Sequence, residues 1–142
     1  MLPPDISSIY VPTFVNQTDQ PQIEAQSTSA TINEFIRDGS LRVESEDNAD
    51  AVLRVTLVNY ELAPLGFRRE QPTATDEYRV LLTASVKLEN KDTGEIIFES
   101  PRIRGESTFQ LEGDLTSGKR IALPEASRDL AHDIVERIVE FW

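Results

Sequence analysis

Glu77-Tyr-Arg-Val-Leu-Leu-Thr-Ala-Ser-Val-Lys-Leu-Glu89, then Asn90-Lys-Asp-Thr-Gly94, then Glu95-Ile-Ile-Phe-Glu-Ser-Pro-Arg-Ile-Arg-Gly-Glu-Ser-Thr-Phe109, is the stretch whose reading decides the fold. Tyr78, Val80, Leu82, Ala84, Val86 and Leu88 alternate with Arg79, Thr83, Ser85, Lys87 and Glu89. A period of two with one apolar face is the pattern of a half-buried strand. Leu81 is the one apolar residue on the polar face. Asn90 to Gly94 supplies turn chemistry, with Gly94 free to take positive φ. The segment after it runs back as a second strand. A long antiparallel hairpin at the centre of one sheet is the expectation.

Working towards the N-terminus, Ala63 to Asp76 reads as a loop of about a dozen residues, a length often tied to function. Ala51 to Leu62 is a strand rich in Val, Leu, Thr and Tyr, and Leu41 to Ser45 can be a shorter one. Pro21 to Asp38 spaces Ile23, Ala30, Ile32, Phe35 and Ile36 as a helix. Its middle, Gln26-Ser-Thr-Ser, is a weak helix former that packing must hold. Asp19 and Gln22 resemble a capping box at its start, and Gly39 is the expected left-handed cap at its end. Ser7 to Pro12 is a first strand.

Towards the C-terminus, Gln110 to Lys119 reads as a polar connection. Ile121 to Trp142 carries Leu123, Ala126, Leu130, Ala131, Ile134, Ile138, Phe141 and Trp142 as one helical stripe. The expected fold class is therefore α+β. It is a two-layer sandwich in β-α-β-β-β-β-α order, with a mainly antiparallel sheet of four or more strands and two helices on one face. Residues 1–142 are expected to form a single domain.

Composition narrows the function. The chain has 25 Asp+Glu against 14 Lys+Arg, a formal net charge of −11. Nucleic acid is not an expected partner, because no general positive footprint exists to meet a phosphate backbone. The sequence contains no cysteine, which excludes disulfides and cysteine metal sites. No stretch is long and apolar enough for a membrane-spanning helix. The opening Met-Leu-Pro-Pro reads as a chain trimmed to its folded part.

Candidate chemistry is sparse. His132 is the only histidine, beside Asp133 and four residues before Glu136. A metal site would need further ligands that no Cys or second His supplies, so His132 reads as an ordinary surface or partly buried residue. No Gly-x-Ser-x-Gly elbow and no phosphate-binding Gly-rich run occur. Glu44 and Glu46, or Asp47 and Asp50, read as solvated turns rather than acid–base pairs. The expectation is no catalytic residue, no metal and no cofactor. Arg68-Arg69 in the long loop and Arg102 and Arg104 after the hairpin turn are more informative in so acidic a chain. Arg102 and Arg104 lie two apart on a strand and share a face. A planar guanidinium can donate two hydrogen bonds to a phosphate, or the same residues can pair across strands with Glu89 or Glu99. Residue types alone lean towards the pairing.

The arrangement resembles a family. The run Leu2-Pro-Pro-Asp-Ile-Ser-Ser-Ile-Tyr-Val-Pro-Thr-Phe-Val-Asn-Gln-Thr18 is similar to the start of the mature domain in LptE-type lipopolysaccharide (LPS)-assembly lipoproteins. Similar too are the helix ending Asp38-Gly39, the run Asp47 to Leu53, the Glu77-Tyr78 strand opening, the Lys-Asp-Thr-Gly-Glu turn and the terminal Asp-Leu-Ala-His-Asp-Ile-Val-Glu-Arg-Ile-Val helix. The resemblance implies a non-enzymatic lipoprotein of the outer-membrane LPS translocon. Such a protein sits as a plug inside a β-barrel partner, on the periplasmic side of the outer membrane, and binds LPS. A lipid anchor, on a lipobox cysteine after a signal peptide, would lie outside this sequence. The resemblance places Arg68 and Arg102, with Arg69 and Arg104 as neighbours, where the lipid's phosphates are met. In an acidic protein that binding must be local rather than steered by the whole surface. Arg68 and Arg102 are expected to approach one another at one end of the sheet, with Tyr78–Val80 opposite roughly Ile103–Gly105. The alternative is another periplasmic lipoprotein of the same plan, either a secretion-channel lipoprotein or a cell-wall synthase activator.

Overall fold

The computed structural model describes residues 6–66, 77–110 and 115–141. In chain order the elements are β1 (Ser8–Tyr10), β2 (Val15–Asn16), α1 (Ile23–Asp38), β3 (Arg42–Val43), β4 (Ala51–Gly66), β5 (Glu77–Asn90), β6 (Ile96–Gln110) and α2 (Leu115–Glu140). The expected hairpin is β5 and β6. Val80, Leu82, Ala84, Val86 and Leu88 are all fully buried, as the period of two requires. At the turn, Asn90 Oδ1 accepts from the Asp92 and Thr93 amides at 2.9 and 3.2 Å. Gly94 has φ of 75° and donates its N–H to the Asn90 carbonyl at 2.8 Å.

The sheet runs β3-β1-β4-β5-β6, with β2 also paired to β4. Strands β4, β5 and β6 are antiparallel. The sheet is thus mainly antiparallel, as expected, and the three short strands add parallel pairs: β1 with both β3 and β4, and β2 with β4. These pairs make it mixed. The cause is α1, a crossover that carries the chain back to the end from which β1 started, so that β3 and β4 re-enter in the same direction.

Asp50 fastens β1 to the start of β4. Its Oδ2 accepts from the Ser7 amide at 2.9 Å and the Ser7 hydroxyl at 3.1 Å. Its own N–H donates to Ser8 Oγ at 2.9 Å. The Ser7 amide is the main reason that this carboxyl sits below its ordinary value of 3.8; partial burial opposes it. A depressed carboxyl stabilises the fold above pH 3.8, and that contribution is lost as pH falls through the lower folded value. Asp50→Asn is therefore expected to cost about 1 kcal/mol at neutral pH in urea unfolding. The deficit should shrink as the parent is acidified. A deficit unchanged at low pH would show that the charge on Asp50 is not what holds β1.

Helix α1 buries Ile23 and Phe35, but also Ser27, Thr28 and Thr31. The weak middle is held by packing and by hydroxyls. Thr28 Oγ1 donates to the Glu24 carbonyl at 2.5 Å and accepts from the Phe14 amide at 2.9 Å. Thr31 Oγ1 donates to the Ser27 carbonyl at 2.8 Å. Ile36, expected on the apolar stripe, is 62% exposed. The Asp19–Gln22 capping box does not form. Gln22 is itself the N-cap, at φ 70°, with no side-chain cap bond. Asn16 orders the preceding turn instead, donating to the Gln20 carbonyl and to Glu24 Oε2, and accepting from Thr18. Gly39 caps the other end at φ 79°, donating its N–H to the Phe35 carbonyl at 3.0 Å.

Helix α2 begins at Leu115, earlier than expected, so Pro124 lies inside it. Its first residues, Leu-Thr-Ser-Gly-Lys-Arg, carry no apolar stripe to announce a helix. A side chain at Gly118 would run into the Phe109 ring, so glycine there lets the helix start against β6. Ala122, Leu123, Ala126, Leu130, Ala131, Ile134, Val135 and Ile138 are buried. The two helices share one core with the apolar faces of β4, β5 and β6, and no described element covers the opposite sheet face.

Two register shifts interrupt β5–β6, between Ala84 and Val86 and between Leu88 and Glu89. Each gives β6 an extra residue, Pro101 in the first case. Tyr78 therefore faces Phe109, Val80 faces Ser107 and Leu82 faces Gly105. The expected pairing of Tyr78–Val80 with Ile103–Gly105 is corrected by four residues: two come from these bulges, and two from a turn that pairs Asn90 with Glu95. Strand β6 ends the sheet. On its free side the Glu106 N–H donates to Asp129 Oδ2 of α2 at 2.8 Å.

Candidate functional site

The open sheet face is built by the residues that alternate with the core. Cross-strand rows read Arg54–Lys87–Glu99, Thr56–Ser85, Asn59–Thr83–Arg104, Glu61–Leu81–Glu106 and Ala63–Arg79–Thr108. Arg102 follows the bulge at Ser85. Charges at the two ends of this face are paired. Arg54 Nε lies 3.2 Å from Glu89 Oε2, and Lys87 Nζ lies 3.9 Å from Glu99 Oε1. At the other end Arg79 Nη1 lies 3.8 Å from Glu106 Oε2. Between them sit Thr56, Asn59, Thr83 and Ser85, flanked on β6 by Arg102 and Arg104.

Arg102 and Arg104 straddle buried Ile103 and are both exposed. The sequence expectation that they share a face holds. Among the described residues neither has an ion-pair partner, so the cross-strand pairing with Glu89 or Glu99 does not occur; those glutamates are taken by Arg54 and Lys87. Arg68 and Arg69 lie outside the described residues. Arg102 is well inside the hairpin, at the level of Ser85, rather than beside the Glu77 end where the expected register had put it. The hydroxyl and amide groups of Thr83, Ser85 and Asn59 were not singled out from sequence, although the alternation of β5 already aimed Thr83 and Ser85 at this face.

On the edge side of Arg104 the character changes. A hollow of about 240 Å³ is lined by Arg79, Leu81, Arg104, Glu106, Asp129 and Asp133. Burial raises the Asp133 carboxyl above its ordinary value, and the neighbouring Asp129 charge raises it further. Three carboxylates against two guanidiniums make this hollow a poor seat for an anion. On the inward side the arginines have Thr83, which is buried, and half-buried Ser85 as their neighbours across β5. A guanidinium pair beside hydroxyl donors can bind a phosphate through several charge-assisted hydrogen bonds.

His132 is placed differently from a catalytic histidine. Its Nδ1 lies 3.0 Å from Glu34 Oε1 and its Nε2 3.4 Å from Glu136 Oε2, on the outer surface of the helices. The groups in reach of it are carboxylates. Among the described residues no cluster of three His, Asp or Glu side chains is arranged to hold a metal. No described helix is long and apolar enough to cross a membrane.

Comparison with known proteins agrees with this frame. No curated protein sequence matches. Among solved structures, protein XCC0632 from Xanthomonas campestris is 11% identical, with 97% of this chain and 89% of that one covered at a TM-score of 0.64. A minor lipoprotein from Acinetobacter baumannii is 13% identical, with 94% of each chain covered at a TM-score of 0.61. Lipoprotein GNA1162 from Neisseria meningitidis is 12% identical, with 94% and 99% covered at a TM-score of 0.53. At such identities these likenesses speak for the fold. The LptE model, described as lipopolysaccharide-assembly, matches residues 6–138. That span takes in every strand and nearly all of α2, and the chain belongs to the LptE family of lipopolysaccharide-assembly lipoproteins, which are outer-membrane-associated and not enzymes.

Proposed function

We propose that this protein is the lipoprotein component of an outer-membrane LPS translocon, held at the periplasmic side of that membrane by a lipid anchor. It binds LPS and seats in a β-barrel partner as a plug. Arg102 and Arg104 take a phosphate of the lipid over Thr83 and Ser85, and Arg68 and Arg69 contribute further contacts. The observation that supports this reading best is the pair of exposed arginines without ion-pair partners among the described residues, on a sheet face where Arg54, Arg79 and Lys87 are each paired with a glutamate. The net charge of −11 makes such a patch a local exception, so binding depends on contact geometry more than on long-range attraction.

Replacing both Arg102 and Arg104 with Glu is expected to weaken LPS binding at least about tenfold, since each charge-assisted hydrogen bond contributes roughly 1.5–3 kcal/mol. Helical content and thermal stability should stay near those of the parent, because both side chains are exposed. Immobilised LPS at low and at moderate salt is the assay, with capture of a β-barrel from outer membranes as a separate readout. A double variant that holds LPS as tightly as the parent removes this site. Failure of the parent to capture any barrel removes the plug role.

A further inference from the structure

The seam between α1 and α2 carries polar contacts both in its buried part and at its surface. Ser27 Oγ and Ser127 Oγ are 3.3 Å apart across it. Further along, His132 of α2 reaches Glu34 of α1 at 3.0 Å through Nδ1. The groove above this contact, about 380 Å³ in volume, is also lined by Asn33, Arg37, Arg128 and Asp129. We propose that His132 is a protonation-gated clasp across this seam. Charged, it holds Glu34 on the facing helix and Glu136 on its own; neutral, it can satisfy only one of them.

The chemistry follows from the two ring nitrogens. An imidazolium donates from both, and here each nitrogen faces a carboxylate. Neutral imidazole has one N–H, and its other nitrogen is an acceptor that a carboxylate repels. Glu34 cannot simply turn to water, because its side chain is only 18% exposed. When the clasp opens it keeps Arg37, at 3.7 Å on the same helix, and that pair does nothing to join the helices. The other charges near His132 are Asp133, Asp129 and Arg128 on α2. Asp133 favours the imidazolium, while Asp129 and Arg128, of opposite charge, line the same groove. The Glu34 hydrogen bond is the largest influence and raises His132 above its ordinary value of 6.5; partial desolvation acts against it, and the charges of Glu34, Glu136 and Asp133 add to it.

A raised histidine stabilises the fold fully below pH 6.5, and that contribution is lost as pH climbs through the raised folded value. The C-terminal half of α1, which leads through Gly39 to β3, therefore docks more firmly at mildly acidic pH. His132 is the sole histidine in the chain, so its ring signals can be followed by NMR without assignment ambiguity. The midpoint in the parent should lie above 6.5 and move down in Glu34→Gln, more than in Glu136→Gln. Amide signals of Asn33 to Arg37 on α1 should shift with the same midpoint in the parent and lose that response in His132→Gln. The melting temperature of the parent should fall relative to His132→Gln between about pH 6 and pH 8. A midpoint at or below the ordinary histidine value overturns the clasp. So does a Glu34→Gln variant with an unchanged midpoint, or an α1 that does not sense the titration.

Discussion

Gly105→Ala is expected to destabilise the protein by about 2–3 kcal/mol, near the upper end for overpacking. Gly105 lies on the core face of β6, opposite Leu82. A Cβ added there would sit 2.5 Å from Leu130 Cβ and 2.6 Å from the Ala126 carbonyl oxygen, and closer still to the Leu130 backbone nitrogen. Two of those three atoms are helix backbone, which cannot rotate aside as a long side chain would. Relief requires α2 to lift from the sheet, and α2 brings Leu130, Ile134 and Ile138 into the core. Gly94→Ala is the matching control. Nothing lies within 4 Å of its Cβ position, so only its φ of 75° is unfavourable, a cost of about 1 kcal/mol. Urea unfolding of the two variants should rank them in that order. If Gly105→Ala costs no more than Gly94→Ala, the close approach of α2 to β6 is wrong.

Phe35→Ala is expected to cost about 3–5 kcal/mol, the range for a large aromatic removed from a core. Phe35 is fully buried, and with Ile23 it is one of two large apolar residues that α1 buries completely. The rest of the buried face is Ser27, Thr28 and Thr31. Truncation leaves the C-terminal half of α1 attached by partly buried Ile32 and the Glu34–His132 contact, neither of which offsets an aromatic ring. Amide exchange should then show α1 opening locally while β4, β5 and β6 keep their protection. A cost below about 1 kcal/mol would mean that the helix is anchored elsewhere.

The alternation on β5 made the hairpin legible, because a period of two with one buried face leaves few other solutions. Asn90 and Gly94 marked its turn for the same reason, one by its side-chain acceptor and the other by its positive φ. The parallel pairing of β1, β2 and β3 was not legible. Two or three residues carry too little pattern to state a direction, and the direction comes from the crossover rather than from the strands. The start of α2 was missed because its first turns rest on the fit of Gly118 to Phe109, a contact between residues of different elements. Within the candidate site, the shared face of Arg102 and Arg104 could be read from their spacing. Their place along the sheet could not, since two bulges and the exact pairing at the turn displaced it. Pro101 was the available clue to one of them, because proline in a strand marks an edge or a bulge. That the arginines lack ion-pair partners among the described residues depended on where Glu89 and Glu99 turn, which is a matter of side-chain geometry.

Pro101 has a further consequence. A fifteen-residue strand at the margin of a sheet is a ready template on which another chain can grow, edge to edge, into aggregates. Here proline withholds a donor midway along β6, and the bulge beside it breaks the regular spacing that an incoming strand would have to match. Asp129 occupies the Glu106 amide further on, and Glu99, Arg102, Arg104 and Glu106 stud the strand with charge. A sheet with one face uncovered by any described element thereby has a margin ill suited to copies of itself, and the kink that shifts the register also works against a neighbouring molecule's continuing the sheet.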